Sequence, residues 1–168
     1  MSHTTLAGVV ATQHRRLREM VADVARAAPG ARDAALHRLL RHLAVHLAAE
    51  RVALAADGVA GAGDAVEEHE IVEGAERLDD LGTDCPSFAV QLGLLAAGMV
   101  HHETRSEREV VPRFVTAQEA GDLDRAEQLL LRCDDIAVLD EDALPGVGFG
   151  HMLRDARAAV NERARLPS

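Results

Sequence analysis

Histidine and glutamate recur in this chain where an apolar side chain belongs. Core stripes repeat at three- and four-residue steps along a helix. One stripe reads Leu6, Val10, His14, Leu17, Val21, Val24. A second reads Leu36, Leu39, Leu43, His46, Glu50, Leu54. A later one reads Phe88, Leu92, Leu95, Met99, His102, Ser106, Val110. A single histidine on such a stripe is usually a satisfied core residue, but an unpaired carboxylate in a core is expensive. His14, His46, Glu50 and His102 together call for a shared cation, and imidazole with carboxylate suits iron, manganese or zinc. His46 and Glu50, four residues apart, share one helix face at about 6 Å. His69 lies near Val66 and Val72, while Ile71 and Leu78 point the other way. It joins the set as the histidine of one more helix.

Helices must position these groups, and the chain carries no strand signal. Alanine, leucine, arginine and glutamate dominate at helical spacing. A first helix starts near Thr4 or Thr5 and ends at Pro29-Gly30. A second runs from about Arg32 to Asp57 and stops at "GVAGAG". Asp64 is the expected N-cap of a third, which ends near Gly82. "GTDCP" reads as a turn, Ser87 as the next N-cap, and Pro112 as the kink or end of a long fourth helix. Two short helices are expected after Gly121, separated by "DEDALPGVGFG", which takes no assignment. The expectation is an all-α up-down-up-down four-helix bundle over residues 1–120, with a helical extension of 121–168 packed on it.

The 168 residues suit one domain, and a net charge of -10 argues against binding nucleic acid through a basic surface. The balance is compatible with metal cations and with small neutral or oxidising molecules. The longest apolar run, "FAVQLGLLAAGMV", is too short to cross a bilayer, and the start shows no secretory pattern. Cys85 and Cys133 form no CxxC pair; one disulfide between them is an alternative, but they read first as reduced thiols of a cytoplasmic protein. There is no tyrosine or tryptophan, beside nine histidines, which disfavours a protein-radical relay. No HExxH and no strand-led phosphate loop are present, and neither cysteine has a base near it in sequence.

Four segments in order, "QHRRLREM", "HLAVHLAAE", "EEHEIVEGAERL" and "HHETRSEREVVP", resemble the hemerythrin-like HHE cation-binding domain family over roughly residues 7 to 115. The resemblance implies a four-helix bundle around a non-haem di-iron centre with histidine ligands and two bridging carboxylates. Matched position by position, His14, His46, His69 and His102 are the histidine ligands and Glu50 is a bridge. Glu73 stands where some members have a second histidine, which makes it a lower-ranked candidate ligand. Ser106 stands where many members have a carboxylate, so the second bridge falls to Glu107 or is missing. Helix 2 also departs from the pattern, with Arg51 after Glu50 and Ala56 where a proline often ends that helix.

His42, one turn before His46, reads as a surface or supporting group, with a metal ligand as the lower-ranked alternative. Glu103 and His101 read mainly as solvated and also stand as lower-ranked ligand candidates, with Glu103 sharing a face with Glu107. The arginines of "HHETRSEREVVP" read as helix surface, and His37, His3 and His151 carry no signal. The resemblance implies two iron ions, oxo-bridged or not, with manganese or zinc as substitutes. The partner is then a diatomic ligand or peroxide, without nucleic acid or membrane. Three classes follow: a binder or sensor of dioxygen, peroxide or nitric oxide; a di-iron enzyme that decomposes peroxide or oxidises a small molecule; and a structural bundle with a degenerate site.

Overall fold

The computed structural model describes residues 5–55, 62–139 and 147–165. The described residues are all-helical. The helices are α1 (Leu6–Arg26), α2 (Pro29–Ala53), α3 (Ala62–Leu81), α4 (Phe88–Arg105), α5 (Val111–Ala117), α6 (Ala120–Leu139) and α7 (Phe149–Arg165), with a π-helical turn at Ser106–Val110 joining α4 to α5. None of them is long and apolar enough to cross a membrane.

Thr5 caps α1, its side chain accepting from the Gly8 amide at 3.2 Å. Pro29 opens α2 rather than closing α1. The residue before a proline is pushed out of the helical region, and Ala28 is accordingly extended (φ -61°, ψ 152°). Proline itself suits a first helical turn, where its missing N–H is not needed. α3 starts at Ala62, so Asp64 lies inside it rather than at its cap, and Gly82 ends it at φ +73°. Ser87 precedes α4 but makes no capping hydrogen bond with its side chain. Most of "GVAGAG" and of the loop before α7 lies outside the described residues.

α2 differs from its expected one-sided stripe. Residues 39 to 50 are buried without a break. The cause lies in its neighbours: α1 covers one side, α6 and α7 cover others, and α3 touches it as well. A helix enclosed in this way must be apolar or internally satisfied all round. The two C-terminal helices are therefore not short appendages: at 20 and 17 residues they form part of the core, through Leu130, Cys133, Phe149 and Val160. Asp79 of α3 accepts the Phe149 amide at 2.8 Å, holding the start of α7 in place.

α4 packs on α3 and α1. Its helix neither stops nor breaks at Pro112. The Val111 amide bonds to the Ser106 carbonyl, one residue further back than in an α-helix. That wider turn makes room where proline would clash with the carbonyl four residues before it. It also shifts the inward stripe by one position: after Ser106, the buried residues are Val111 and Phe114, and Val110 is only partly buried.

Candidate metal centre

α1, α2 and α4 bring their polar core residues to one point. The ligand-type atoms of His14, His46, Glu50 and His102 all lie within 4.8 Å of one another. Glu50 Oε2 is the focus. It lies 2.9 Å from His102 Nε2, 3.1 Å from His46 Nε2 and 3.8 Å from His14 Nε2. The three rings meet nearly edge-on, with interplanar angles of 75°, 80° and 81°. The other carboxylate oxygen of Glu50 accepts from the Ser106 hydroxyl.

The outer partners decide the tautomers. Gln13 Nε2 donates to the Leu130 carbonyl and to Asp134 Oδ1, both at 3.1 Å. These acceptors orient the amide so that its oxygen faces His46 Nδ1 at 3.2 Å. His46 must therefore donate from Nδ1, which leaves the Nε2 lone pair pointing inward. His14 follows the same logic, with Nδ1 2.8 Å from Glu107 Oε1. An ionised carboxylate only accepts, so His14 donates from Nδ1 and Nε2 again carries a bare lone pair. Both inward nitrogens are buried and lack a hydrogen-bond partner; His46 Nε2 is close to Glu50 but off the direction a hydrogen bond needs. Buried acceptors facing one another are costly without a cation between them. The donor set of three imidazoles and a carboxylate is of the kind that holds a first-row divalent ion.

Electrostatics reflect the same crowding. Burial by itself would raise the Glu50 carboxyl, but the hydrogen bond with His102 and the closeness of the His14 and His46 imidazoles outweigh it and hold the carboxyl well below its usual range. Burial pushes His46 below the ordinary imidazole value, against the pull of Glu50. For His102 the balance goes the other way: burial is again the largest single effect and opposes the charge, but the bond to Glu50, its charge and those of Glu67 and Glu103 together raise the imidazole.

The other expected ligands stand apart. His69 has a 70% exposed side chain and pairs with Glu73 at 3.3 Å on the outer face of α3. The buried face of α3 is Ile71, Ala75 and Leu78, and His69 is two residues, roughly 200°, from Ile71. Glu107 lies behind His14 and orients it, rather than bridging at the centre. Glu103, expected in solvent, is buried and paired with Arg18 of α1. His42 is buried but turned to its own helix, with Nδ1 2.9 Å from the Arg38 carbonyl. His101 is exposed, 3.1 Å from Glu67. Cys133 is buried, and burial pushes its thiol up to about 11, so it is a core residue and not a nucleophile.

A cavity of about 100 Å³ opens beside Glu50, His102 and Ser106, walled by Leu47, Leu54 and Val110. Its rim is a set of ion pairs. Arg105 meets Glu67 at 3.0 Å, while Glu68 is shared by Arg51 at 3.4 Å and Arg157 at 2.7 Å. Glu67 and Glu68 are thus the α3 groups nearest the centre. Both lie one turn before Ile71, but sequence periodicity left the buried face of α3 open and so did not point to them. Gln13 carried no signal either, because its partners on α6 are remote in sequence. No family model, no curated protein and no solved structure matches this chain.

Proposed function

We propose that this chain is a hemerythrin-like metal-binding protein. It holds one first-row ion on His14, His46, Glu50 and His102, and it binds or senses dioxygen, peroxide or nitric oxide. The observation that carries the reading is the pair of buried, unpartnered Nε2 atoms of His14 and His46, 3.8 and 3.1 Å from one carboxylate oxygen of Glu50. The neighbour relations support an up-down-up-down bundle of α1 to α4, with α6 and α7 docked on α2: α1 packs on α2 and α4, and α3 packs on α4 and α2. Two free thiols suit a cytosolic setting.

The donors present fit one ion and not two. A second would need ligands from α3, where His69 and Glu73 face outward. The α3 carboxylates that line the cavity, Glu67 and Glu68, are engaged by Arg105, Arg51 and Arg157. Iron is the preferred ion on this reading, with manganese or zinc as substitutes. When bound, a redox-active ion supplies an open coordination position and electrons for a small oxygen- or nitrogen-based ligand. The chain does the rest. Gln13 and Glu107 hold the two imidazoles with their lone pairs inward. The Ser106 hydroxyl occupies Glu50 Oε1, leaving Oε2 for the cation. Leu47, Leu54 and Val110 keep the approach apolar. Organic ligand pockets usually exceed about 300 Å³, so a cavity of about 100 Å³ favours a few-atom ligand over oxidation of a larger substrate.

Loading the purified protein with Fe(II) without oxygen, then adding nitric oxide, tests this reading. The expected result is an optical and paramagnetic resonance signature that saturates with iron content and disappears in His46→Ala. A folded protein that takes up no iron, or iron that ignores nitric oxide and oxygen alike, would overturn it.

A further inference from the structure

Gln13 is 6% exposed and lies between the centre and α6. Its oxygen faces His46 Nδ1 at 3.2 Å, and its nitrogen donates to Leu130 and Asp134 of α6. Resting on the metal-binding reading above, we propose that Gln13 is a positioning residue that sets the His46 tautomer and couples ion binding to the docking of α6 against α1.

The chemistry follows from what would happen without it. His46 Nε2 lies 3.1 Å from Glu50 Oε2. With no acceptor at Nδ1, the ring proton has a better place on Nε2, where Glu50 can take it with a small rotation. That tautomer satisfies the buried groups internally and removes the lone pair an ion needs. Gln13 prevents it by supplying the Nδ1 acceptor, and Gln13 is itself held by two acceptors on a helix that carries none of the four cluster residues. Loosening α6 therefore frees the amide to turn, and filling the site tightens α6. Such coupling is reciprocal by necessity.

The test uses the full chain with zinc alone as probe. Gln13→Leu should weaken zinc binding, measured by chelator competition, by about 10- to 100-fold, the usual cost of losing a partner behind a ligand. Asp134→Ala should cost less. Gln13→Glu keeps an acceptor for His46 but sets a carboxylate against Asp134. Adding Asp134→Asn to it restores a donor–acceptor pair and should recover most of the affinity. Equal affinity in wild type and Gln13→Leu, or no recovery in the double variant, would overturn the proposal.

Two measurements on wild type stand even if Gln13→Leu does not fold. Nitrogen-15 spectra of the zinc-loaded protein should show His46 protonated at Nδ1; zinc on Nδ1 would overturn the assignment. Zinc should slow amide exchange in α6 around residues 130 to 134; unchanged exchange there would overturn the coupling. A wild type that binds no zinc defeats this proposal together with the metal reading. Tight zinc binding that Gln13→Leu leaves intact defeats this proposal alone.

Discussion

The α1–α2 and α3 sides of the molecule carry the same residue types and have opposite characters. On the α1–α2 side, His14, His46 and Glu50 are buried, and each imidazole is held from behind by a fixed acceptor. On the α3 side, His69 and Glu73 face solvent as an i,i+4 pair, and the inward carboxylates Glu67 and Glu68 already have arginine partners. The difference shows that a histidine becomes a candidate ligand through what lies behind its ring. His69 has its carboxylate, Glu73, beside it on an exposed helix face. His14 has its own, Glu107, on the side away from a buried cluster.

The sharpest way to break this contrast is at Glu50. Glu50→Ala removes the focus of three imidazoles and should abolish metal binding. It should also destabilise the metal-free protein by about 3 kcal/mol, as losing one partner of a buried charged cluster does; metal content and denaturant titration read the two effects. Next come the imidazoles. His14→Ala, His46→Ala and His102→Ala should each weaken zinc binding by at least about 100-fold, which amounts to about 3 kcal/mol of lost binding. His69→Ala should leave it within about twofold, inside the ordinary scatter of a surface substitution. A large loss in His69→Ala would erase the distinction between the two sides.

A smaller effect is expected at Glu107. Glu107→Ala removes the acceptor behind His14 and should cost about tenfold in affinity, with fold and ion count unchanged. Loss of a whole ion would instead restore Glu107 as a ligand. The smallest effect is in pH. Binding an ion requires His102 to give up its proton, and His102 holds that proton above the ordinary imidazole value because Glu50, Glu67 and Glu103 together outweigh burial. Affinity for zinc should therefore begin to fall above about pH 6.5 as pH decreases, by about tenfold per unit for one proton. His46, held below the ordinary value by burial, adds nothing in that window. A flat profile there would contradict the assigned role of His102.

Much of this was legible in the chain. The stripes through His14, His46, Glu50 and His102 needed only helical periodicity, because burial makes polar intruders conspicuous. α3 was ambiguous for a physical reason: Val66 and Ile71 lie on different faces, and only packing against α4 decides that Ile71 goes in while Val66 stays 57% exposed. The π turn was hidden because a proline in a helix has two outcomes, a break or a widened turn, and the sequence does not separate them. That turn lets neighbouring residues serve different helices, Ser106 reaching Glu50 on α2 and Glu107 reaching His14 on α1. The role of α6 was invisible, since Leu130 and Asp134 meet Gln13 only through tertiary packing.

The central claim is a single-ion centre on the α1–α2 side, completed by α4. Elemental analysis of the protein after saturation with Fe(II) and removal of loose metal tests it most directly. The expected content is about one ion per chain, since each structural donor set holds one ion, and none in His46→Ala. A folded chain with no ion, or one that retains two, would contradict it.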